Sequence, residues 1–288
     1  MLKIAIPNKG RLSDDARELF NDAGLEVRQA GERALTASLG GEFEALFVRA
    51  QDIPEFVADG AADAGVTGLD LVRESGRALT EELDLRFGKC RLVVAVRDES
   101  PARTIADLAA APAPRVATVF PHLTSAFFTE QGISARVVPV SGAAEIAPHL
   151  GIADIVVDLT STGSTLRMNG MREIGTVLTS SARLISGRNV AEDATKRVAM
   201  RDLALALESV IRARGQRYVM ANVPRTALDR VKTILPGING PTVLEIANGG
   251  AMVAVHAVVR ADLIYRTIAQ LQELGGEGIL VTRIERLA

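Results

Sequence analysis

A single cysteine in 288 residues, Cys90, excludes an intrachain disulfide and any cysteine-built zinc or iron–sulfur centre. Its expected place is the core. Histidine is almost as scarce: His122, His149 and His256 stand far apart without metal-ligand spacing, and each reads as a surface or core residue. The chain offers no Ser–His–Asp or Cys–His arrangement for an activated nucleophile. No apolar run reaches membrane-spanning length, so no membrane partner is expected. Neither sign of charge dominates, with 33 Lys and Arg against 35 Asp and Glu and a net charge of −2, so the broad basic field that nucleic acid requires is missing. A local basic pocket for a small anion remains open. No basic-then-apolar leader precedes the strand-like stretch Lys3–Pro7, and the expected location is the cytoplasm.

Hydrophobic residues at 48% and charged residues at 24% describe a globular chain, long enough for two or three domains with a substantial core. Strand and helix signals alternate from the start. A strand at Lys3–Pro7 leads to a helix from about Ser13 to Ala23, with Ser13 as N-cap and Gly24 closing it. Strands follow near Leu35–Leu39 and Ala45–Val48, then a helix near Ile53–Ala58, a strand at Ala64–Thr67 and a helix at Leu71–Ser75. An extended run within Arg86–Arg97 enters a second α/β unit. There a helix at Ile105–Ala110 and an Ala/Pro-rich linker at Ala111–Pro114 precede strand Arg115–Phe120, helix Thr124–Gln131, strand Ala135–Val140, helix Ala143–Leu150 and strand Ile155–Asp158. This βαβαβ order predicts a parallel sheet that binds ligands at the carboxyl ends of its strands.

A second extended run, Glu173–Ile185, returns the chain, and a long helix near Lys196–Arg214 follows. The two crossings, near 90 and near 180, predict two α/β lobes around a cleft. The remainder reads strand Arg217–Val223, helix Ala227–Leu235, strands Val243–Ile246 and Met252–Val259, helix Leu263–Leu274 and strand Gly278–Ile284. That βαββαβ order is the ferredoxin-like arrangement.

The most informative stretch is Ala153–Leu166, an apolar strand ending near Asp158 and running into a hydroxyl-rich turn, Ser161-Thr162-Gly163-Ser164-Thr165, ahead of a helix near Leu166. Such a turn presents backbone N–H groups and four hydroxyls to an anion, and Gly163 lets the anion approach the backbone. A hydroxyl-rich turn alone is more often an ordinary helix cap. An acid would repel a phosphate, so Asp158 makes sense serving sugar hydroxyls or a magnesium ion, and the pattern suggests a phosphorylated sugar. Asp154, four residues earlier and roughly 13 Å along a strand, reads as structural. Lys9 follows Asn8 in the tight turn after the first strand. For Lys9, Arg11 and Arg49 the plain alternative is a solvated surface cation, about as good a reading for Arg11, and for Asp70, after Gly68-Leu69, it is an N-cap.

Taken together these motifs resemble ATP phosphoribosyltransferase in its long, three-domain form. The resemblance spans the chain. Its most specific part is the phosphoribosyl-diphosphate signature, here Glu145, Gly151-Ile152-Ala153-Asp154, Asp158 and Thr162-Gly163-Ser164-Thr165-Leu166, with Leu159 and Thr160 departing from the usual branched apolar pair. Further matches are Pro7-Asn8-Lys9-Gly10-Arg11-Leu12, Arg49 with Asp52-Ile53-Pro54, Gly65-Val66-Thr67-Gly68-Leu69-Asp70, and Leu235-Pro236-Gly237 with Pro241-Thr242-Val243. Gln51 stands where some relatives carry a basic residue.

The resemblance implies a bilobed, periplasmic-binding-protein-like catalytic body and a C-terminal regulatory domain. Residues 1–92 and 178–212 would form the first catalytic domain, 93–177 the second with the phosphoribosyl-diphosphate loop, and 213–288 the ferredoxin-like third. It implies attack of adenine N1 of ATP on C1 of 5-phosphoribosyl 1-diphosphate, with magnesium (Mg2+) carried mainly by the departing pyrophosphate. No covalent or acid/base residue is then expected, nor a protein metal cage. Asp158, Ser161, Thr162, Gly163, Ser164 and Thr165 would hold the phosphoribosyl group. Lys9, Gly10, Arg11, Arg49 and Asp70 would face ATP and phosphate. Leu235, Pro236 and Thr242 would mark the region where histidine inhibits, and a homo-oligomer, dimer to hexamer, is implied. Two rivals remain: a solute-binding protein without chemistry, which shares the two-lobed plan, and a phosphoribosyltransferase acting on another acceptor, which the loop alone would not separate. The amino-terminal turn and the last domain favour the ATP enzyme.

Overall fold

The computed structural model describes residues 1–29, 31, 34–110, 113–247 and 250–288; the linker expected at Ala111–Pro114 falls partly outside them. The chain divides into two compact units, Met1–Ala204 and Leu205–Ala288. Among the described residues no helix is long and apolar enough to cross a membrane.

In the first unit, β1 (Lys3–Pro7) leads through α1 (Arg11–Asp22) to β2 (Val27–Gln29), β3 (Thr36–Leu39) and β4 (Phe43–Val48). Then come α2 (Ile53–Ala58), β5 (Ala64–Gly68), α3 (Leu69–Ser75) and β6 (Thr80–Asp84). The helix α1 begins earlier than expected, and Ser13 is not its cap. Gly10 takes that position at φ 78°, a conformation other residues avoid, while Ser13 is buried one turn inside.

β7 (Cys90–Arg97), β8 (Arg115–Thr118), α4 (Pro121–Glu130), β9 (Arg136–Pro139), β10 (Ile155–Thr160), α5 (Ser164–Met168) and β11 (Met171–Ser180) build the second lobe. The chain then returns through β12 (Ala182–Ser186), α6 (Arg188–Glu192) and α7 (Ala194–Ala213). Seven strands form one sheet in the order β2-β3-β4-β1-β5-β12-β6, and five form the other in the order β11-β7-β10-β8-β9. The chain therefore passes between sheets after Asp84 and again at Ser181, giving the two lobes and two crossings that the sequence predicts. The crossings are knitted together by Leu85 N–H to Ala182 O at 3.0 Å and Ala182 N–H to Phe87 O at 2.9 Å.

β10, β8 and β9 run parallel as expected, but β7, between β10 and β11, is antiparallel to both neighbours, so the second sheet is mixed. Its central strands are covered on both faces. Leu92, Val94, Val96, Ile155 and Val157 pack with Phe120 and Phe128, while Val93, Ala95 and Val156 pack with Leu166 and Met171 on the reverse. The helix expected at Ala143–Leu150 is a single 3₁₀ turn, Ala144–Ile146. Pro148 carries no N–H with which to continue it.

In the second unit β13 (Gln216–Pro224), α8 (Leu228–Ile234), β14 (Thr242–Glu245), β15 (Met252–Arg260), α9 (Ile264–Glu273) and β16 (Glu277–Arg283) form an antiparallel sheet ordered β14-β15-β13-β16. This is the ferredoxin-like plan. Strict alternation puts Val219, Ala221, Val223, Val253, Val255, Ala257 and Val259 in one core with Val231, Leu235 and Leu271 of the helical layer.

Candidate active site

Parallel pairing sets the geometry of the first lobe's rim. β1 lies between β4 and β5 with all three pointing the same way, so the turns that follow them emerge together. Asn8 N–H donates to Val48 O at 2.8 Å, bringing Asn8-Lys9-Gly10 beside Arg49, and Thr67 Oγ1 donates to Ala50 O at 2.8 Å, fastening the end of β5 to the same turn. Lys9, Arg11 and Arg49 are exposed, and no carboxylate pairs with any of them among the described residues. Cations held together without acidic partners form an electropositive rim suited to an anion.

Asp70 lies apart from these cations in exposure. It is 5% exposed, in the first turn of α3, and its carboxylate accepts from Ser180 Oγ, which in turn accepts from Asp70 N–H at 3.1 Å. Ser180 ends β11 opposite Cys90, so this polar contact sits at the junction of the lobes. Burial, reinforced by the Asp70 charge, pushes the Cys90 thiol up, against a lowering hydrogen bond from Ser180, and the thiol stays protonated at neutral pH.

In the second lobe, β8 stops at Thr118 opposite Val157, whereas antiparallel β7 continues to pair β10 as far as Thr160 with Arg91. Asp158 is consequently not the strand's last residue, as the sequence suggests, but lies two residues short of its end. Its Oδ1 accepts Leu159 N–H at 2.7 Å, and no cation pairs with it among the described residues. Burial first, with a contribution from the Glu145 charge and against the Leu159 hydrogen bond, holds its carboxyl above the usual range. Asp154, by contrast, meets Arg115 through two oxygens, Oδ1 to Nη2 at 2.8 Å and Oδ2 to Nε at 3.1 Å, and these bonds lower its pKa. It is structural.

The hydroxyl-rich turn is built on a residue that the sequence marked only as a departure from a pattern. Buried Thr160 accepts Gly163 N–H through Oγ1 at 2.7 Å, folding the chain back over the strand end. Gly163 adopts φ 74°, and a Cβ there would lie 2.6 Å from Glu173 Oε1 and 2.8 Å from Arg167 Nη1. Glu173 Oε2 also accepts from Arg91 Nη1 at 2.8 Å. Ser161, Thr162, Ser164 and Thr165 remain exposed around this glycine, with Thr162 Oγ1 and Ser164 Oγ 3.0 Å apart. The helix behind the turn begins at Ser164, earlier than expected, and spans five residues. Its dipole is small, so hydroxyls and backbone N–H groups are the principal donors.

Arg91, Arg167, Glu173 and Ser180 were not singled out in the sequence. Arg91 had one legible signal, a cation opening the apolar run Leu92–Val96; the others depend on strand register. Ser161 Oγ reaches toward Lys89 O at 3.4 Å, which places the turn beside the crossing. Both sets of strand ends therefore open onto one junction, with a cationic rim on one lobe and a hydroxyl turn on the other. In the second unit Leu235 is fully buried, whereas Pro236 and Thr242 are exposed.

Residues 49–209 match the family model of ATP phosphoribosyltransferase, and residues 213–286 match that of the HisG C-terminal domain. The ATP phosphoribosyltransferase of Gemmatimonas aurantiaca is 70% identical over 100% of this chain and 99% of its own length. That of Methanocella arvoryzae is 47% identical with the same coverage. Among solved structures, an ATP phosphoribosyl transferase (HisG:HisZ) complex from Thermotoga maritima superposes with a TM-score of 0.63 at 25% identity, covering 74% of this chain and 99% of that one.

Proposed function

Because the chain belongs to the ATP phosphoribosyltransferase family, we infer from its geometry how its residues divide the work of that reaction. The protein transfers the phosphoribosyl group of 5-phosphoribosyl 1-diphosphate to N1 of ATP, giving phosphoribosyl-ATP and pyrophosphate, the first step of histidine biosynthesis. The N1 lone pair forms the new bond to C1, and the electrons of the broken C1–O bond leave with pyrophosphate. No protein nucleophile is required, so the protein's task is alignment and charge stabilisation.

In this reading the second lobe (93–177) seats the phosphoribosyl group. Ser161, Thr162, Ser164 and Thr165 donate to the 5-phosphate around Gly163, and Asp158 accepts from ribose hydroxyls. The first lobe (1–92 with 178–212) brings Lys9, Gly10, Arg11 and Arg49 to the phosphates of ATP and the leaving group. The observation that carries this division is the pairing of exposed, uncompensated cations on one set of strand ends with the Thr160-anchored hydroxyl turn on the other. Asp70, turned inward on Ser180, acts at the junction, where closure would bring it to the acceptor.

Magnesium fits a site of this composition. Among the described residues no group of three or more His, Cys, Asp or Glu converges, while Asp158 offers one unpaired carboxylate. An ion that prefers phosphate oxygens and water needs no more from the protein. Bound with pyrophosphate, it would neutralise charge developing on the leaving group.

The C-terminal domain (213–288) is read as the histidine-responsive one, with Pro236 and Thr242 at the exposed approach to the inhibitor and Leu235 supporting them from the core. We read the working form as a homo-oligomer, dimer to hexamer, which light scattering at micromolar concentration checks. Pyrophosphate release on mixing the purified protein with magnesium, 5-phosphoribosyl 1-diphosphate and ATP tests the whole assignment. Release without ATP, or with other acceptors equally, would refute it.

A further inference from the structure

Helix α4 opens on Phe120-Pro121, and neither residue can cap it: Phe120 has no side-chain acceptor and makes no side-chain cap hydrogen bond. The N–H groups of the next two residues, His122 and Leu123, are the donors that a capping side chain ordinarily satisfies. They are satisfied from the other lobe. Glu74, in the last turn of α3, accepts His122 N–H on Oε1 at 2.9 Å and Leu123 N–H on Oε2 at 2.9 Å. His122 Nδ1 in turn lies 2.8 Å from Glu74 O, as donor to that carbonyl.

The contact is directional and partly shielded. Both carboxylate oxygens are used, and the Glu74 side chain is 16% exposed although His122 beside it is 77% exposed. A carboxylate against the amino end of a ten-residue helix also meets the favourable end of its dipole. α3 follows β5 of the seven-stranded sheet, and α4 follows β8 of the five-stranded sheet. The same short helix is fixed one turn earlier by Asp70 to Ser180 at the crossing. Thus α3 is held at its start by the junction of the lobes and grips the opposite lobe at its end.

We propose that Glu74 is a positioning residue for the transfer reaction: by capping α4 from across the junction it sets the apposition of the two lobes, and with it the approach of N1 to C1. The proposal rests on the reading that each lobe presents one reactant. In-line displacement is sensitive to such apposition, since misplacing reactants by about 1 Å costs on the order of a hundredfold in rate. Both Glu74 oxygens are engaged by the α4 backbone, outside the two seats assigned to the reactants, so its removal is expected to impair the ternary complex and spare binary binding.

The test compares the full-length protein with Glu74→Ala and the near-isosteric Glu74→Gln, which keeps one acceptor oxygen. Steady-state kcat and KM for both substrates are measured with calorimetric affinity for 5-phosphoribosyl 1-diphosphate alone and thermal melting. The expected result is a kcat lowered at least about tenfold in Glu74→Ala with unchanged binary affinity, and partial restoration in Glu74→Gln. A wild-type kcat in either folded variant would overturn the proposal, as would a loss confined to binary affinity or to melting temperature. If Glu74→Ala does not fold, Glu74→Gln carries the same comparison. Failure of the wild-type protein to release pyrophosphate strikes at the functional reading instead.

Discussion

Asp70 and Ser180, 110 residues apart in sequence, share a buried pair of hydrogen bonds at the point where the chain crosses between lobes: the serine hydroxyl accepts the aspartate's N–H and donates to its carboxylate. Leu69 N–H adds a bond to Ser181 O at 3.0 Å. The start of α3 is therefore welded to the second crossing, and any change in lobe orientation must work against it.

Removing that hydroxyl leaves a buried carboxylate without its donor. Ser180→Ala is expected to lower stability by about 2 kcal/mol, the scale for stranding a buried charged acceptor, and calorimetric melting measures it. Asp70→Asn keeps an acceptor oxygen and should melt near the wild type. A fall in kcat/KM in that folded variant would place Asp70 against substrate, whereas unchanged kinetics would confine it to the junction.

Gly163 carries the second expectation. Alanine there must adopt a positive φ, at a cost of about 1–2 kcal/mol, and must also push aside Glu173 and Arg167. Both are flexible side-chain ends, so folding survives while the turn shifts. KM for 5-phosphoribosyl 1-diphosphate should rise at least about tenfold in Gly163→Ala. Thr160→Val, which keeps shape but loses the acceptor for Gly163 N–H, should do the same. Unaltered KM in both would mean that the turn does not seat the phosphate.

The order of elements and the three sheets were legible because hydrophobic period and turn residues report local structure directly. Edge strands were not. Among the described residues β6, Thr-Glu-Glu-Leu-Asp, pairs only with β12, and its mostly polar sequence carries no apolar alternation to mark it. The apolar run stops at Asp158, yet strand length is set by the neighbour, and β7 keeps pairing β10 for two residues more. The hydroxyl turn could be found from its own residues, whereas Glu173 beside it and Glu74 across the junction act through partners tens of residues away. Cooperation of that kind leaves no local pattern.

At the amino-terminal end of β5, away from the junction, Asp63 accepts from Lys196 Nζ at 2.7 Å and from Lys3 N–H at 2.9 Å, fastening α7 to the sheet. Burial alone would raise the pKa of Asp63, but the hydrogen bonds from Lys196, Lys3 and Asn189 and the Lys196 charge outweigh it and lower it. The folded chain therefore holds fewer protons at this site than the unfolded chain near pH 4, and its contribution to stability is present above the unfolded pKa of about 3.9 and lost as pH falls through the lower folded value. Asp63→Asn should cost about 2 kcal/mol at pH 7, with the gap to wild type closing in that acid window. A gap independent of pH would show that the charge is immaterial.

Asp158 has the opposite sign. Its folded pKa is raised, by burial first and by Glu145 as well, so the folded chain retains a proton that the unfolded chain has already released. Stability accordingly falls as pH rises from the unfolded value through the folded one, so that above the unfolded value this carboxyl is a standing cost to the ligand-free protein. That cost makes sense where ribose hydroxyls or a magnesium ion will meet the charge. Asp158→Asn should melt higher than wild type at neutral pH and lose the advantage in acid, while kcat/KM for 5-phosphoribosyl 1-diphosphate falls about a hundredfold. Melting and kinetics on the same preparation decide the matter: a variant neither more stable nor less active would remove Asp158 from the site.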